Sequence, residues 1–295
     1  MSEIGAFEAR PGEPREKALA RLARFLEASG VEEAREDARL LLFDACGLTP
    51  AEYLLSPEAP LGEAAATLLA DRAARRAARE PASRILATRG FWTLDLAVFP
   101  DVLDPRPDTE SVVALALSLV AARRNEAMRL LDLGSGSGAL LCALLAELPQ
   151  AFGVAIDLSQ QALQATRTNL ARCGLSARAA ILQGLWGGSL GSTFDLVVSN
   201  PPYVKSDEID RLSPEVRLHD PRPALDGGVD GLSAIRELAA DLPRLLAPGG
   251  VVVLEVGLGQ ARETAALLAA AGLENAGTRR DAGGRERAVA ARRRL

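Results

Sequence analysis

The stretch Leu130-Leu131-Asp132-Leu133-Gly134-Ser135-Gly136-Ser137-Gly138 decides the fold. An apolar strand runs into alternate glycines, and Ala139, Leu140 and Leu141 then open an apolar helix. Glycines at alternate positions let the backbone turn tightly and approach a ligand closely. The next strand, Phe152–Ile156, leads to Asp157. That places an acidic group about 20 residues beyond the turn, where it can take ribose hydroxyls.

Two cofactors fit such a turn, a dinucleotide and S-adenosylmethionine. The dinucleotide pattern is Gly-x-Gly-x-x-Gly, and here the third glycine, Gly138, comes one residue early. Asp132 also stands just before the turn. A carboxylate there repels an anionic pyrophosphate and tolerates a sulfonium ligand that carries an ammonium group. The residues therefore favour S-adenosylmethionine over NAD.

Working outward, strand and helix patterns alternate. Strands are expected at Arg129–Leu133, Phe152–Ile156, Ala179–Gln183, Phe194–Ser199 and Val251–Val256. Helices are expected to start near Gly138, Ser159, Gly231 and Gly259. Such alternation predicts an α/β fold, with a mostly parallel sheet covered by helices on both faces and ligands at the carboxyl ends of its strands. A late pair near Leu273–Thr278 and Arg287–Ala290 would add an antiparallel edge. Upstream, residues 15–80 read as helices, with a Thr49-Pro50-Ala51-Glu52 start of the reciprocal capping type. Phe91-Trp92 and the alternation Leu94, Leu96, Val98 read as a hairpin. Three segments are expected: a helical recognition domain over 1–83, a hairpin linker over 84–107 and a Rossmann-like domain over 108–295.

The second informative stretch is Asn200-Pro201-Pro202-Tyr203, delivered by the buried strand Asp195-Leu196-Val197-Val198-Ser199. Methylating an amide-like nitrogen is difficult because its lone pair is delocalised, as the short planar C–N bond shows. Two acceptors gripping the two N–H hydrogens can turn the nitrogen toward tetrahedral geometry. The Asn200 side-chain oxygen is one acceptor, and the Pro201 carbonyl is a second. The prolines fix φ and remove competing donors, and Asn200 is pushed toward extended geometry by Pro201. Tyr203 can stack on a planar substrate group. No strong base is required, so positioning and electrostatics carry the catalysis. The plain alternative is an Asn-Pro turn after a strand.

Composition narrows the function. The net charge of −5 and pI near 5.2 speak against a general nucleic-acid binder. Cys46, Cys142 and Cys173 are odd in number and far apart, and His219 is the one histidine, so neither disulfides nor a metal site are expected. No apolar run reaches the roughly 18 residues of a membrane span. The polar Met1–Pro14 stretch has no signal character, so a cytoplasmic protein is expected.

Gly134–Gly138, Asp157 and Asn200–Tyr203 together resemble the amino methyltransferases. Within these, the chain resembles the release-factor glutamine methyltransferases. That likeness extends over the helical N-terminal region, Gly90-Phe91-Trp92, Glu215-Val216-Arg217, Pro221–Gly228 and Gly284–Arg287. The segment Leu103-Asp104-Pro105-Arg106-Pro107-Asp108-Thr109-Glu110 points most directly to this branch.

The resemblance implies a class I methyltransferase domain with a seven-stranded sheet. It implies as substrate the glutamine of the Gly-Gly-Gln loop of class I peptide release factors, with the helical domain gripping that partner. Gly134, Ser135, Gly136, Ser137, Gly138 and Asp157 would hold S-adenosylmethionine, with Trp186 by the adenine. Asn200 would touch both cofactor and glutamine, and Asn200, Pro201, Pro202 and Tyr203 would hold the amide. The family often has an apolar residue where Asp104 stands and an acidic one where Leu185 stands. His219-Asp220 replaces a more usual pair, so no role is expected for His219. Arg106 and Glu110, one helical turn apart, could form a local ion pair, or Arg106 could order the cofactor pocket. The rival functions are methylation of a ribosomal-protein glutamine or of an exocyclic base amine, a non-catalytic binding protein on this fold, and an NAD dehydrogenase. Oligomeric state is not legible.

Overall fold

Apolar residues at helical spacing build the first unit, which runs to Ala87. Its helices are α1 (Arg15–Ala28), α2 (Ala34–Cys46), α3 (Pro50–Leu55), α4 (Glu63–Ala77) and α5 (Ala82–Leu86). Leu22, Leu26, Leu41, Leu42 and Leu69 close its core without exposed surface. Thr49 and Glu52 form the expected capping box at α3. The computed structural model describes residues 5–188 and 190–295, so the first four residues of the polar Met1–Pro14 stretch lie outside the described residues.

The second unit begins at Thr88, inside the segment read as a linker. The hairpin β1 (Thr88–Phe91) and β2 (Leu94–Ala97) is part of this unit, and Phe91 and Leu96 are buried in its core. Then follow α6 (Glu110–Leu119), β3 (Arg129–Leu133), α7 (Ala139–Glu147), β4 (Phe152–Asp157), α8 (Gln160–Arg172), β5 (Ala179–Gln183) and β6 (Phe194–Ser199). The short helices α9 (Pro214–His219) and α10 (Arg222–Leu225) precede α11 (Ser233–Leu245), β7 (Leu246–Glu255), α12 (Ala261–Ala270), β8 (Glu274–Arg280) and β9 (Glu286–Arg292).

The second unit's main sheet has seven strands in the order β5-β4-β3-β6-β7-β9-β8. Strands β3 to β7 are parallel, and β8 and β9 form the antiparallel edge. Apolar side chains pack on both faces, so the central strands read as continuous hydrophobic runs. Helix α7 is apolar around most of its circumference and lies almost wholly in the core.

The chain winds outward from β3 through β4 to β5, then returns to place β6 on the other side of β3. The strand order reverses there, and such a switch point opens a crevice at the carboxyl ends of the strands. The registers place both informative stretches in it. Asp132 pairs with Val198, so two residues further on Gly134 lies opposite Asn200. Ser199 pairs with Leu254, so Asn200 also neighbours Glu255.

Candidate active site

The glycine turn takes its shape from backbone conformations that side chains resist. Gly134, Gly136 and Gly138 all have positive φ, at 71°, 55° and 78°. At Gly136 an added Cβ would meet nothing within 4 Å, so the requirement there is conformational alone. At Gly138 a Cβ would also stand 3.1 Å from the Thr166 Cα, so helix α8 can approach only a glycine.

The turn is tied down from three sides. The Gly134 and Ser135 N–H groups donate to the Ile156 carbonyl at 2.8 and 2.9 Å. Gly136 N–H donates to Asp157 Oδ2 at 2.8 Å, and Ser159 N–H donates to Asp157 Oδ1 at the same distance. From α8, the Thr166 hydroxyl donates to the Gly136 carbonyl at 3.0 Å, and Asn169 Nδ2 donates to the Ser137 carbonyl at 2.9 Å. Asn169 also exchanges hydrogen bonds with the Ala97 backbone, which joins the hairpin to the turn. Sequence reading passed over Thr166 and Asn169. Their signal was two polar residues three apart on an otherwise apolar helix face.

A cavity of about 630 Å³ opens in the crevice. Gly134, Ser135, Gly136, Ser137, Asp157 and Trp186 line it, together with Asn200 and Pro202. Gly138, Pro201 and Tyr203 do not. Gly138 instead packs against α8. Tyr203 was expected to stack on substrate, yet its hydroxyl donates to the buried Glu255 at 3.0 Å. Burial, with the Glu255 charge beside it, pushes its phenol well above the ordinary tyrosine range. The Ser135 hydroxyl lies 3.1 Å from that of Thr166 and is buried.

Asp132 is the most unusual charged group in the cavity wall. It is 1% exposed, and neither carboxylate oxygen has a hydrogen-bond partner. The Leu141 N–H favours its charged form without completing a hydrogen bond. Burial pushes its pKa up to about 7, and the negative charge of Asp157 adds to the rise. A buried carboxylate left in this state is costly unless a ligand completes it. An ammonium-bearing ligand would do so, and a pyrophosphate would not.

Trp186 is held in a left-handed conformation, φ 47°, which a bulky side chain adopts only under constraint. Its indole N–H donates to Glu237 Oε2 at 2.6 Å. A Cβ on Gly134 would lie 3.4 Å from its ring. Asn200 Nδ2 donates to the Thr109 hydroxyl at 3.3 Å, and Thr109 also lines the cavity.

The segment 101–106 and residues Pro221, Pro223 and Ala224 form other parts of the wall. They are linked by an ion pair between Arg106 and the buried Asp220. A local Arg106–Glu110 pair is therefore absent. Glu110 instead accepts the Trp92 N–H at 2.8 Å. Asp104 is fully buried and pairs with Arg89 at 3.1 Å. Leu185 lines the cavity, and His219 does not. Among the described residues no His, Cys, Asp and Glu cluster could hold a metal ion. No helix among them is long and apolar enough to cross a membrane.

The sheet order is that of a Rossmann-like class I fold, and the crevice at its switch point, where the glycine turn faces the Asn200–Tyr203 tip, makes the protein an S-adenosylmethionine-dependent methyltransferase. The solved structure of a methyltransferase from Pyrococcus furiosus agrees with the fold, with a TM-score of 0.52 at 16% identity over 76% of this chain and 99% of that one. Residues 17–86 match the PrmC N-terminal domain model, and residues 111–216 match the methyltransferase small domain model. The release factor glutamine methyltransferase of Rhodospirillum rubrum is 46% identical over 96% of this chain and 88% of its own length. Those of Caulobacter vibrioides, 46% identical over 90% and 91%, and Deinococcus radiodurans, 40% over 94% and 96%, are similar throughout. The chain belongs to the release factor glutamine methyltransferase family.

Proposed function

We propose that the chain methylates the side-chain amide nitrogen of the glutamine in the Gly-Gly-Gln loop of class I peptide chain release factors. Those factors are its cytoplasmic protein partners. The observation that carries the reading is Asn200. It lies across from the glycine turn with its NH2 group committed to Thr109, which leaves its oxygen as an acceptor.

S-adenosylmethionine supplies a methyl group on a sulfonium, which is a good leaving group for an incoming nitrogen. Asp157 takes ribose hydroxyls while its oxygens keep their bonds to Gly136 and Ser159, since each carboxylate oxygen can accept more than one hydrogen bond. Gly134 to Ser137 present backbone to the cofactor, Trp186 packs by the adenine, and Asp132 answers the ammonium group. The Asn200 oxygen accepts one N–H of the glutamine amide; the acceptor for the other is the carbonyl of Pro201, a buried residue outside the lining of the ligand-free cavity, which the amide must reach past Asn200 and Pro202. That grip turns the nitrogen lone pair toward the methyl carbon, and the spent proton leaves to solvent. Pro202 fills the wall beside Asn200. Tyr203 acts from behind the tip, through its bond to Glu255, rather than by stacking.

The test is mass spectrometry of a class I release factor incubated with the protein and S-adenosylmethionine. The loop peptide should gain one methyl mass, located on the glutamine side chain. A ribosomal protein or RNA methylated in its place, with the release factor untouched, would overturn the reading.

A further inference from the structure

The segment 104–110 contributes to the cavity wall, and two of its residues, Pro105 and Pro107, have no N–H to donate. Its charged side chains fasten it, each to a different place in the second unit. Asp104 pairs with Arg89 of β1 at 3.1 Å, and Arg106 pairs with Asp220, just after α9. Asp108 pairs with Arg287 of β9 at 3.1 Å, and Glu110 accepts the Trp92 N–H at 2.8 Å.

Thr109 stands between the last two anchors, at the end of the 3-10 turn Pro107–Thr109. It is 4% exposed, and its hydroxyl accepts the Asn200 NH2 at 3.3 Å. Arg287 is itself held from behind. Its Nε donates to Asp281 Oδ2 at 3.1 Å, and Asp281 Oδ1 accepts the Arg285 N–H at 2.9 Å, within the turn between β8 and β9. The Asp281 and Arg287 side chains are only 3% and 13% exposed. A length of 3.3 Å lies just beyond the usual range for an N–H···O bond. A small displacement of Thr109 would break it, and the Asn200 amide would be free to turn. We propose that Arg287 is a positioning residue: by tying Asp108 to the β8–β9 turn, it holds Thr109 where Thr109 fixes the Asn200 amide for methyl transfer.

For its effect on rate, this role rests on the proposed amide methylation. It is a role of place rather than of field, and charge separates the two. Arg287 favours the charged form of the nearby Glu255, and Asp108 opposes it. If the pair acted through that field, Arg287→Gln and Asp108→Asn would move the rate in opposite directions. Loss of position moves both the same way.

The test is single-turnover methyl transfer to a class I release factor, with release factor and S-adenosylmethionine saturating. Calorimetry with S-adenosylhomocysteine, thermal melting and the Asn200 side-chain amide resonance of 15N-labelled protein accompany it. We expect Arg287→Gln and Asp108→Asn each to lower the rate about 10-fold, less than the roughly 100-fold that a 1 Å misplacement can cost. S-adenosylhomocysteine affinity should stay within roughly 3-fold, less than a typical hydrogen bond contributes. Arg287→Lys keeps the charge without the two-sided fork, so it should fall between wild type and Arg287→Gln. In a Thr109→Val background the link to Asn200 is already gone. There neither change should lower the rate further, although the melting temperature should still drop. In both single variants the Asn200 amide resonance should shift and its protons should exchange faster.

Rate changes of opposite sign, or a further rate loss in the Thr109→Val background, would overturn the proposal. So would an unchanged Asn200 amide, or an S-adenosylhomocysteine loss as large as the rate loss. If Arg287→Gln does not fold, Asp108→Asn decides, because Asp108 is 44% exposed and its change leaves the Arg287–Asp281 bond in place. If the wild type leaves the release factor unmethylated, the proposed function falls, and the Asn200 amide resonance then decides the role of Arg287.

Discussion

The glycine turn and the Asn200–Tyr203 tip end neighbouring parallel strands, and they are built by opposite means. The turn is a backbone object. Three positive-φ glycines give it its path, and backbone N–H groups with two side chains of α8 hold that path. The tip is a side-chain object. Thr109, Glu255 and Gln260 reach it from distant parts of the chain, with Gln260 Nε2 donating to the Tyr203 carbonyl at 3.0 Å. A site that must wrap a flexible cofactor needs close backbone approach. A site that must aim one lone pair needs hydrogen bonds of fixed sense. Damage to the turn should therefore appear in binding, and damage to the tip in rate.

The sharpest break of that division is Asn200→Ala. It removes the acceptor itself, and the transfer rate should fall by about 10²–10³, the usual size for one preorganised polar group at a reacting centre. Single-turnover kinetics measures this, and S-adenosylhomocysteine binding by calorimetry should change far less. Equal losses in both would mean that the tip serves binding, and the two regions would no longer differ.

Gly138→Ala should do the reverse. It combines an unfavourable φ with a contact of 3.1 Å against the α8 backbone. Strain of about 1–3 kcal/mol in the turn should weaken cofactor binding by roughly 10–100-fold and lower the melting temperature. Gly136→Ala meets open space, so only the φ term remains and its loss should be smaller. If the order were reversed, the approach of α8 would not be what fixes the turn.

Asp132 separates stability from binding within the turn region. Its folded pKa of about 7 lies above its ordinary 3.8. The folded protein thus binds a proton more tightly than the unfolded chain does. The stability from that proton is complete below about pH 4 and is lost as pH rises through about 7. Asp132→Asn should raise the melting temperature of the ligand-free protein at pH 8 and change it little at pH 4. It should also weaken S-adenosylhomocysteine by about 10-fold, through loss of one charged contact. In the wild type the affinity should fall as pH drops from 7.5 to 6, because a protonated Asp132 no longer answers an ammonium group. Calorimetry in two buffers of different ionisation enthalpy would show proton release on binding. A flat pH profile would remove Asp132 from the cofactor site.

The same contrast explains what could be read from sequence. The glycine turn was legible because a backbone requirement leaves its mark where it acts, in glycines flanked by a strand and a helix. Strands β3, β5 and β6 were legible to their ends for a similar reason, as short apolar-rich runs interrupted by single polar residues such as Asp132 and Asp195. Strand β7 begins at Leu246 rather than Val251 because it continues through Pro248-Gly249-Gly250, across a register irregularity opposite Phe194. Those residues read locally as a breaker. The tip itself was legible, but its supports were not. Arg106 has a carboxylate four residues away and yet pairs with Asp220, 114 residues on. Glu255 looks like the polar end of a strand until the register sets it beside Asn200. Local patterns report local causes, and the tip has few.

Trp186 offers the smallest and most discriminating test, because it borders the turn yet is held by a side-chain bond like the tip. Its indole donates to Glu237 at 2.6 Å in a partly solvated setting, and its backbone is strained at φ 47°. An exposed hydrogen bond to a charged group is worth about 1 kcal/mol or less once water competes. Glu237→Ala should therefore weaken S-adenosylhomocysteine only about 2–4-fold, with no change in single-turnover rate at saturating cofactor. If Glu237 alone held the strained backbone, its loss would free the ring, and binding would fall as far as in Gly136→Ala. The packing of Trp186 against the core of the second unit argues for the smaller effect, because it keeps the indole in place after the bond is gone.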